Sequence, residues 1–362
     1  MNITASAPGK LVLLGEYAVL EGAPAISMAV DRRAIARLKP RLSPRYDAYA
    51  PDILDARVPF QIDSNGVPSW PEGGDAATRL SLVDQVLRGL ADEQIAPASG
   101  GHGFGLELDT HEFFYALGAE PLKLGLGSSA ALTVALATAL VAHAGRGAVS
   151  ANRRVWLQRL LALHRKFQGG HGSGVDVATS LIGGVISYQL VGDEHQPLAR
   201  ELVWPSRIQR LYVWSGRSAS TSQALARLQV WRSGHGTEYT VLMRDLTAIA
   251  ESAVAALEGA DASGFIDAAT AYAQGLRRFG EACGLEIFSA EHDRIAEIAR
   301  AAGLLYKPCG AGVGDVGVVF ALDDGERLEA VRRTLYADGF ATVPLAVDET
   351  GLRLEFTEID EA

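Results

Sequence analysis

The sequence predicts an α+β protein built as two lobes, the first over residues 1–195 and the second over residues 196–362. Three observations carry this expectation. The chain has 362 residues, more than one ordinary core organises, and 48% are apolar, enough for a sizeable interior. The first half alternates short strand patterns with long apolar helices around a glycine-rich loop. The second half sets several helical patterns among a few short strands, as expected for helices packed on an antiparallel sheet.

The elements follow from local chemistry. Ile3–Ala7 reads as a strand, Pro8-Gly9 as a turn, and Lys10–Leu14 as a short apolar strand. A second turn at Gly15-Glu16-Tyr17 leads to a strand over Ala25–Val30, and Arg32–Leu38 alternates as a hairpin partner. Ser43–Asp75 is rich in Pro, Asp and Gly, with a hairpin signal at Asp63-Ser64-Asn65-Gly66. Ala77–Ala91 carries Leu80, Val83, Val86, Leu87 and Leu90 at helical spacing, and Gly103–Leu108 is a strand. Helices follow over Ser129–His143 and Asn152–Phe167, the latter with Trp156, Leu157, Leu160, Leu161 and Leu163 inward. Val177–Ser187 closes this half, and the polar stretch Leu190–Pro205 is read as the loop between lobes. Beyond it come a strand at Ile208–Trp214 and helices at Ala224–Val230, Tyr239–Leu257, Ala262–Phe279 and Ala290–Ala302. Val316–Ala321 is a strand, Leu328–Asp338 a helix, and Ala341–Val347 and Leu352–Phe356 the last strands.

Composition removes several classes of function. Lys plus Arg is 33 and Asp plus Glu is 43, a net charge of −10. An acidic chain is a poor nonspecific nucleic-acid binder, so an anionic ligand must be drawn by a local basic patch. Two cysteines, Cys283 and Cys309, make no disulfide framework and point to a reducing, cytoplasmic setting. Met1–Lys10 does not read as a signal peptide, and no window of 18 apolar residues predicts a membrane span.

Pro121–Ala131, PLKLGLGSSAA, carries the most chemical information. Gly125 and Gly127 let the backbone turn tightly and expose its N–H groups. Ser128 or Ser129 can cap the helix that follows, whose first turn offers unpaired donors and the positive end of its dipole. That combination binds phosphate; the plainer reading is a capped helix after a glycine turn. The loop has no third glycine at dinucleotide-fold spacing, and no Gly-Lys-Ser/Thr closes it as in a Walker loop. Two further motifs flank it in the chain. Ala7-Pro8-Gly9-Lys10 runs into LVLLGEYAVLEGAPAI, and Lys307–Val318 reads KPCGAGVGDVGV.

These three motifs, in this order, resemble the GHMP kinase superfamily over nearly the whole chain. Gln168–Ala178 (QGGHGSGVDVA), Trp214–Ser222 (WSGRSASTS) and Asp315 within the third motif are similar to its phosphomevalonate kinase branch. The resemblance implies an N-terminal α/β lobe like domain 2 of ribosomal protein S5, a ferredoxin-like C-terminal lobe, and an active site between them. It implies ATP with Mg²⁺ and a small anionic acceptor. The product would be diphosphomevalonate, in the mevalonate pathway to isoprenoid precursors.

Residue by residue, the resemblance places ATP on Lys123, Gly125, Leu126, Gly127, Ser128, Ser129 and Ala130, with Ser129 also a ligand of Mg²⁺. Asp176 follows the flexible Gly172-Ser173-Gly174-Val175 and can deliver a carboxylate to accept or orient the acceptor proton; as a bland alternative it caps a helix. Lys10 would lie beside Asp176, lower its pKa and steady charge on the acceptor; on its residue context alone it is a surface lysine at a strand end. Glu16, Tyr17, Gly172, Ser173, Arg217, Ser220, Thr221, Gly310, Ala311 and Gly312 are expected around the acceptor. Mevalonate kinases place a Glu before the catalytic Asp as a second metal ligand; here Leu163–Gln168 has no acid. His164 reads as a helix-face residue, and the run His164, Arg165, Lys166 with His171 either meets an anionic acceptor or, as charge runs usually do, forms a solvated face. Val313 stands where the family has another Gly, and Asp315 either accepts from a substrate hydroxyl or holds its loop. A kinase with mevalonate, a sugar or a sugar phosphate as acceptor stays open, as does a catalytically silent binding protein. The oligomeric state is open too.

Overall fold

The computed structural model describes residues 1–71, 75–95, 102–116, 121–145, 152–170, 172–192, 195–218 and 221–358. Its first strand, β1 (Asn2–Leu14), runs straight through Pro8-Gly9, where a turn is expected. It pairs antiparallel with β2 (Ala25–Arg41), one strand where two are expected. A register shift absorbs the proline: Pro8 pairs with Arg33 but Gly9 with Val30. A bulge of this kind lets a strand carry a residue that cannot donate to the ladder.

The other edge of β2 takes β9 (Val185–Val191) along Ala25–Met28 and β6 (Gly103–Asp109) along Ile35–Arg41. β3 (Tyr46–Ala50) lies parallel to β6 and antiparallel to β4 (Leu54–Ile62). β4 turns into β5 (Pro68–Ser69) at the expected hairpin, where Asp63 Oδ1 accepts from the N–H groups of Asn65 and Val67. Two strands beyond residue 195 also join this sheet. β10 (Gln196–Leu202), expected as loop, pairs with β9 along its length, and β15 (Arg353–Thr357) pairs with Asn2–Ser6 of β1. A short ribbon, β7 (Phe114–Ala116) with β8 (Pro121–Lys123), leads to the glycine loop.

Against this sheet lie α3 (Ser128–His143) and α5 (Val175–Ile182), with α1 (Ala76–Arg79), α2 (Ser81–Asp92) and α4 (Arg153–Phe167) farther out. Every residue of α3 from Ala130 to Val141 is buried. A helix apolar on all sides belongs inside a core. Its two interior hydroxyls, Thr133 and Thr138, bond back to the carbonyls of Ser129 and Val134.

The second sheet is antiparallel, in the order β12 (Leu305–Pro308), β13 (Val316–Leu322), β11 (Ile208–Trp214), β14 (Ala341–Thr342). α6 (Thr221–Gly234), α7 (Gly236–Glu258), α8 (Ala262–Cys283) and α9 (Ala290–Ala301) connect β11 to β12, and α10 (Gly325–Ala337) connects β13 to β14. This is the expected ferredoxin-like arrangement. The strand expected over Ala341–Val347 stops at Thr342; beyond it Val347 makes a single bridge to Val30. One apolar cluster runs through both sheets, joining Met28 and Phe104 to Phe265, Phe279 and Phe320, while Val213, Ile295, Val319 and Leu335 form a smaller one. Among the described residues no helix is long and apolar enough to cross a membrane.

Candidate active site

β1, the glycine loop, the start of α5 and the loop before β13 converge on one cleft of about 320 Å³. It is lined by Lys10, Glu16, Tyr17, Lys123, Gly125, Gly127, Ser128, Ser129, Gly172, Ser173, Asp176, Thr221, Gly310 and Ala311, all residues the sequence nominates, and by Asp315. α3 starts in the cleft wall. Its first-turn N–H groups have no partner one turn back, so the helix presents donors and dipole there. The cap differs from expectation. Gly127, at φ 76°, is the N-cap, with no side-chain capping bond, so neither Ser128 nor Ser129 plays that part. Both glycines stand at positive φ, 69° at Gly125 and 76° at Gly127; a Cβ on Gly125 would also collide with the Asp315 carboxylate, while one on Gly127 would press the Lys10 side chain at 3.1 Å.

Lys10 is tied to this loop twice. Its N–H donates to Leu126 O at 2.8 Å and its ammonium to Gly125 O at 3.4 Å. The expected neighbour is different: among the described residues the basic side chain within 4 Å of the Asp176 carboxylate is His164, not Lys10. Asp176 sits in the first turn of α5, whose N-cap is Gly174, so it is not the cap. Its Oδ1 accepts from Val177 N at 2.9 Å, which leaves Oδ2 toward His164 Nδ1 at 3.9 Å. His164 is 1% exposed, and its Nε2 lies 3.2 Å from Ser129 Oγ. The helix-face reading of His164 is therefore overturned. A histidine inside a basic run looks solvated in sequence; a partner 35 residues away decides otherwise.

The first motif closes the cleft from the other side. Tyr17 OH donates to Ala311 O at 2.5 Å, and burial pushes its phenol pKa up. Glu16 is buried and paired with Lys307, which is fully buried and also donates to Pro308 O at 2.7 Å. Burial raises the Glu16 carboxyl, while Lys307 pulls it back down. Glu16 Oε2 is buried without a hydrogen-bond partner. The sequence carries no local signal for Lys307, because its partner Glu16 lies 291 residues away. Cys309 is buried, its thiol pushed up to about 12, which fits a small filler residue.

Several nominated residues stand elsewhere. Arg217 is absent from the cleft lining, because its guanidinium faces Glu291 at 3.5 Å and Glu286 at 4.0 Å. Leu126 and Ala130 are buried, and Leu126 contributes only backbone through its carbonyl. Gly312 packs on Ile287, whose carbonyl would meet a Cβ at 2.5 Å. Ser220 and His171 lie outside the described residues.

His292 holds the third loop from below. Its Nε2 lies 3.1 Å from Gly314 O and its Nδ1 2.7 Å from Tyr306 OH. A carbonyl only accepts, so Nε2 carries the proton and Nδ1 accepts from the phenol. Burial keeps this ring neutral and lowers its pKa from 6.5 to about 4. A depressed histidine contributes stability that is complete above pH 6.5 and fades as pH falls toward 4. The full span corresponds to about 3 kcal/mol. We expect urea midpoints of the wild-type protein to fall more between pH 6.5 and pH 4 than those of His292→Gln. Parallel profiles would show that His292 does not titrate as assigned.

Residues 85–184 match the family model described as GHMP kinases N terminal domain. The chain is 29% identical to the phosphomevalonate kinase of Streptomyces sp. (strain CL190), covering 95% of this chain and 96% of that protein. It is 27% identical to the mevalonate kinase of Bos taurus, covering 96% of this chain and 93% of that protein. Its fold matches the Streptococcus pneumoniae phosphomevalonate kinase in complex with phosphomevalonate and AMPPNP at a TM-score of 0.73, with 18% identity over 95% of this chain and 99% of that one.

Proposed function

We propose that this chain is a GHMP kinase that transfers the γ-phosphoryl group of ATP to phosphomevalonate, giving diphosphomevalonate. The observation that supports this reading is one cleft that holds a helix N-terminus, two lysines and three carboxylates together, Asp176 among them. Phosphoryl transfer needs a phosphate cradle, charge neutralisation and a group that orients the acceptor. The Gly125–Ser129 loop cradles the nucleotide phosphates. Lys10 and Lys123 supply positive charge to the nucleotide and to the acceptor's own phosphate. Asp176 accepts the proton of the attacking oxygen or orients it. The orphaned Oε2 of Glu16 accepts from an acceptor hydroxyl. We place the reaction in the cytoplasm, on the two free buried cysteines.

Among the described residues no group of three or more His, Cys, Asp or Glu side chains forms a metal cage. The oxygens of Ser129 and Asp176 in the cleft suit a Mg²⁺ carried mainly by nucleotide phosphates. Bound there, the ion would spread charge over the transferring phosphoryl group.

The acceptor is tested by comparing kcat/KM for phosphomevalonate, mevalonate and sugar phosphates in an ADP-release assay. A site with unpaired cations discriminates strongly against an acceptor that lacks the phosphate. We expect phosphomevalonate to exceed mevalonate by about 10²-fold or more. A better rate with mevalonate or a sugar phosphate moves the chain to another branch of the superfamily, and no ADP release with any acceptor leaves a binding protein.

A further inference from the structure

We propose that His164 is a positioning residue, whose single buried ring orients the Ser129 hydroxyl through Nε2 and faces the Asp176 carboxylate through Nδ1. The inference rests on the phosphotransferase reading above. It starts from geometry. The ring lies in the last turn of α4, is 1% exposed, and is backed by Phe167 at 6.1 Å between ring centroids. Its two nitrogens reach different elements of the cleft: Ser129 in the first turn of α3 at 3.2 Å and Asp176 in the first turn of α5 at 3.9 Å.

The protonation pattern follows from what each neighbour can do. A carboxylate oxygen accepts, so the nitrogen that faces Asp176, Nδ1, is the one placed to carry a ring proton. Nε2 then carries a lone pair, and the Ser129 hydroxyl must donate to it. That locks a hydroxyl which is free of capping duty, because Gly127 serves as N-cap. With its proton turned to His164, Ser129 Oγ presents lone pairs to the cleft, the state in which it can meet a cation carried by a nucleotide. Groups that orient a metal's ligands from outside typically contribute about 10- to 100-fold to affinity or activity. The sequence Leu163–Val175 contains no acid.

The test compares His164→Ala, His164→Gln and the wild-type protein. Alanine removes both contacts; glutamine keeps an amide that reaches Ser129 from the same helix position. We expect His164→Ala to lower kcat about 10- to 100-fold with KM for ATP changed less than about threefold, and His164→Gln to recover most of that loss. Rates within about twofold of wild type in both variants overturn the proposal. So does an equal loss in both that follows their melting temperatures, the mark of core packing. A second readout does not depend on turnover. Imidazole nitrogen NMR of the wild-type protein, with His164 assigned from the signal missing in His164→Gln, should show the Nδ1–H tautomer. The Nε2–H tautomer would overturn the donor assignment. If the wild-type protein phosphorylates no acceptor, the functional reading falls, and the tautomer still decides what His164 does.

Discussion

Asp176→Asn is expected to lower kcat by about 10²- to 10⁴-fold, the usual worth of a positioned acid–base group, while ATP affinity stays within about twofold. The substitution is well isolated. Asn has nearly the same shape, and its amide oxygen can still accept from Val177 N, the bond that Asp176 Oδ1 makes at 2.9 Å. The start of α5 is therefore preserved. What disappears is the charge beside His164 and the ability to take a proton. The proposed nucleotide cradle lies on other elements, the loop after β8 and the first turn of α3, and the proposed Mg²⁺ is carried mainly by the nucleotide phosphates, so ATP affinity should change little. Steady-state kcat, an ATP titration by calorimetry and a melting curve separate these effects. A variant that keeps more than half of wild-type turnover removes Asp176 from the chemistry. A collapse of ATP affinity with kcat intact would move it to the nucleotide site.

Much of this cleft was legible because its signals are local. Gly125 and Gly127 precede an apolar helix, and a glycine there has few other uses. Asp176 follows a Gly-Ser-Gly string, and it does stand at a helix start. Lys10 was legible only through resemblance, since a lysine after Pro-Gly says little alone. What sequence could not show are the pairings that tertiary structure makes. His164 sits in a run of basic residues, so its burial against Ser129 depends on how α4 meets α3. Arg217 looks available for an anion until Glu286 and Glu291 are brought beside it. The fold shows the same division. The helix patterns correspond to helices, whereas β10 and β15 join the first sheet through long-range pairing that no local pattern announces. Pro8 suggested a turn because a proline rarely sits in a strand, and a bulge answers that objection.

Lys307→Met is expected to destabilise the protein by about 3–5 kcal/mol at neutral pH, the cost of leaving one member of a buried ion pair alone. The Lys307 side chain is 0% exposed and that of Glu16 2%, so water cannot take over the missing contact. Tyr272 OH donates to Glu16 O at 2.7 Å, which pins the backbone and prevents the carboxylate from swinging out to solvent. The loss should depend on pH in a defined direction. Burial raises the Glu16 carboxyl and Lys307 is the main group lowering it, so the variant's carboxyl rises further. A group whose folded pKa lies above its unfolded value near 4.5 keeps its stability below that value and loses it as pH rises through the folded pKa. The deficit of Lys307→Met should therefore shrink toward pH 4.5 and grow toward neutrality. Adding Glu16→Gln removes the stranded charge, and the double variant should regain most of the stability, since uncharged replacements of buried pairs are often neutral. Urea midpoints for the single and double variants at two pH values test this. A deficit that is small at neutral pH, or the same at both, would mean that Glu16 is already protonated beside Lys307. The pair ties the turn at Glu16 to the start of the third glycine motif, one residue before Pro308, so the same charges that cost desolvation hold two walls of the cleft in register. Regained stability without regained turnover in the double variant would assign the carboxylate to the acceptor as well as to the fold.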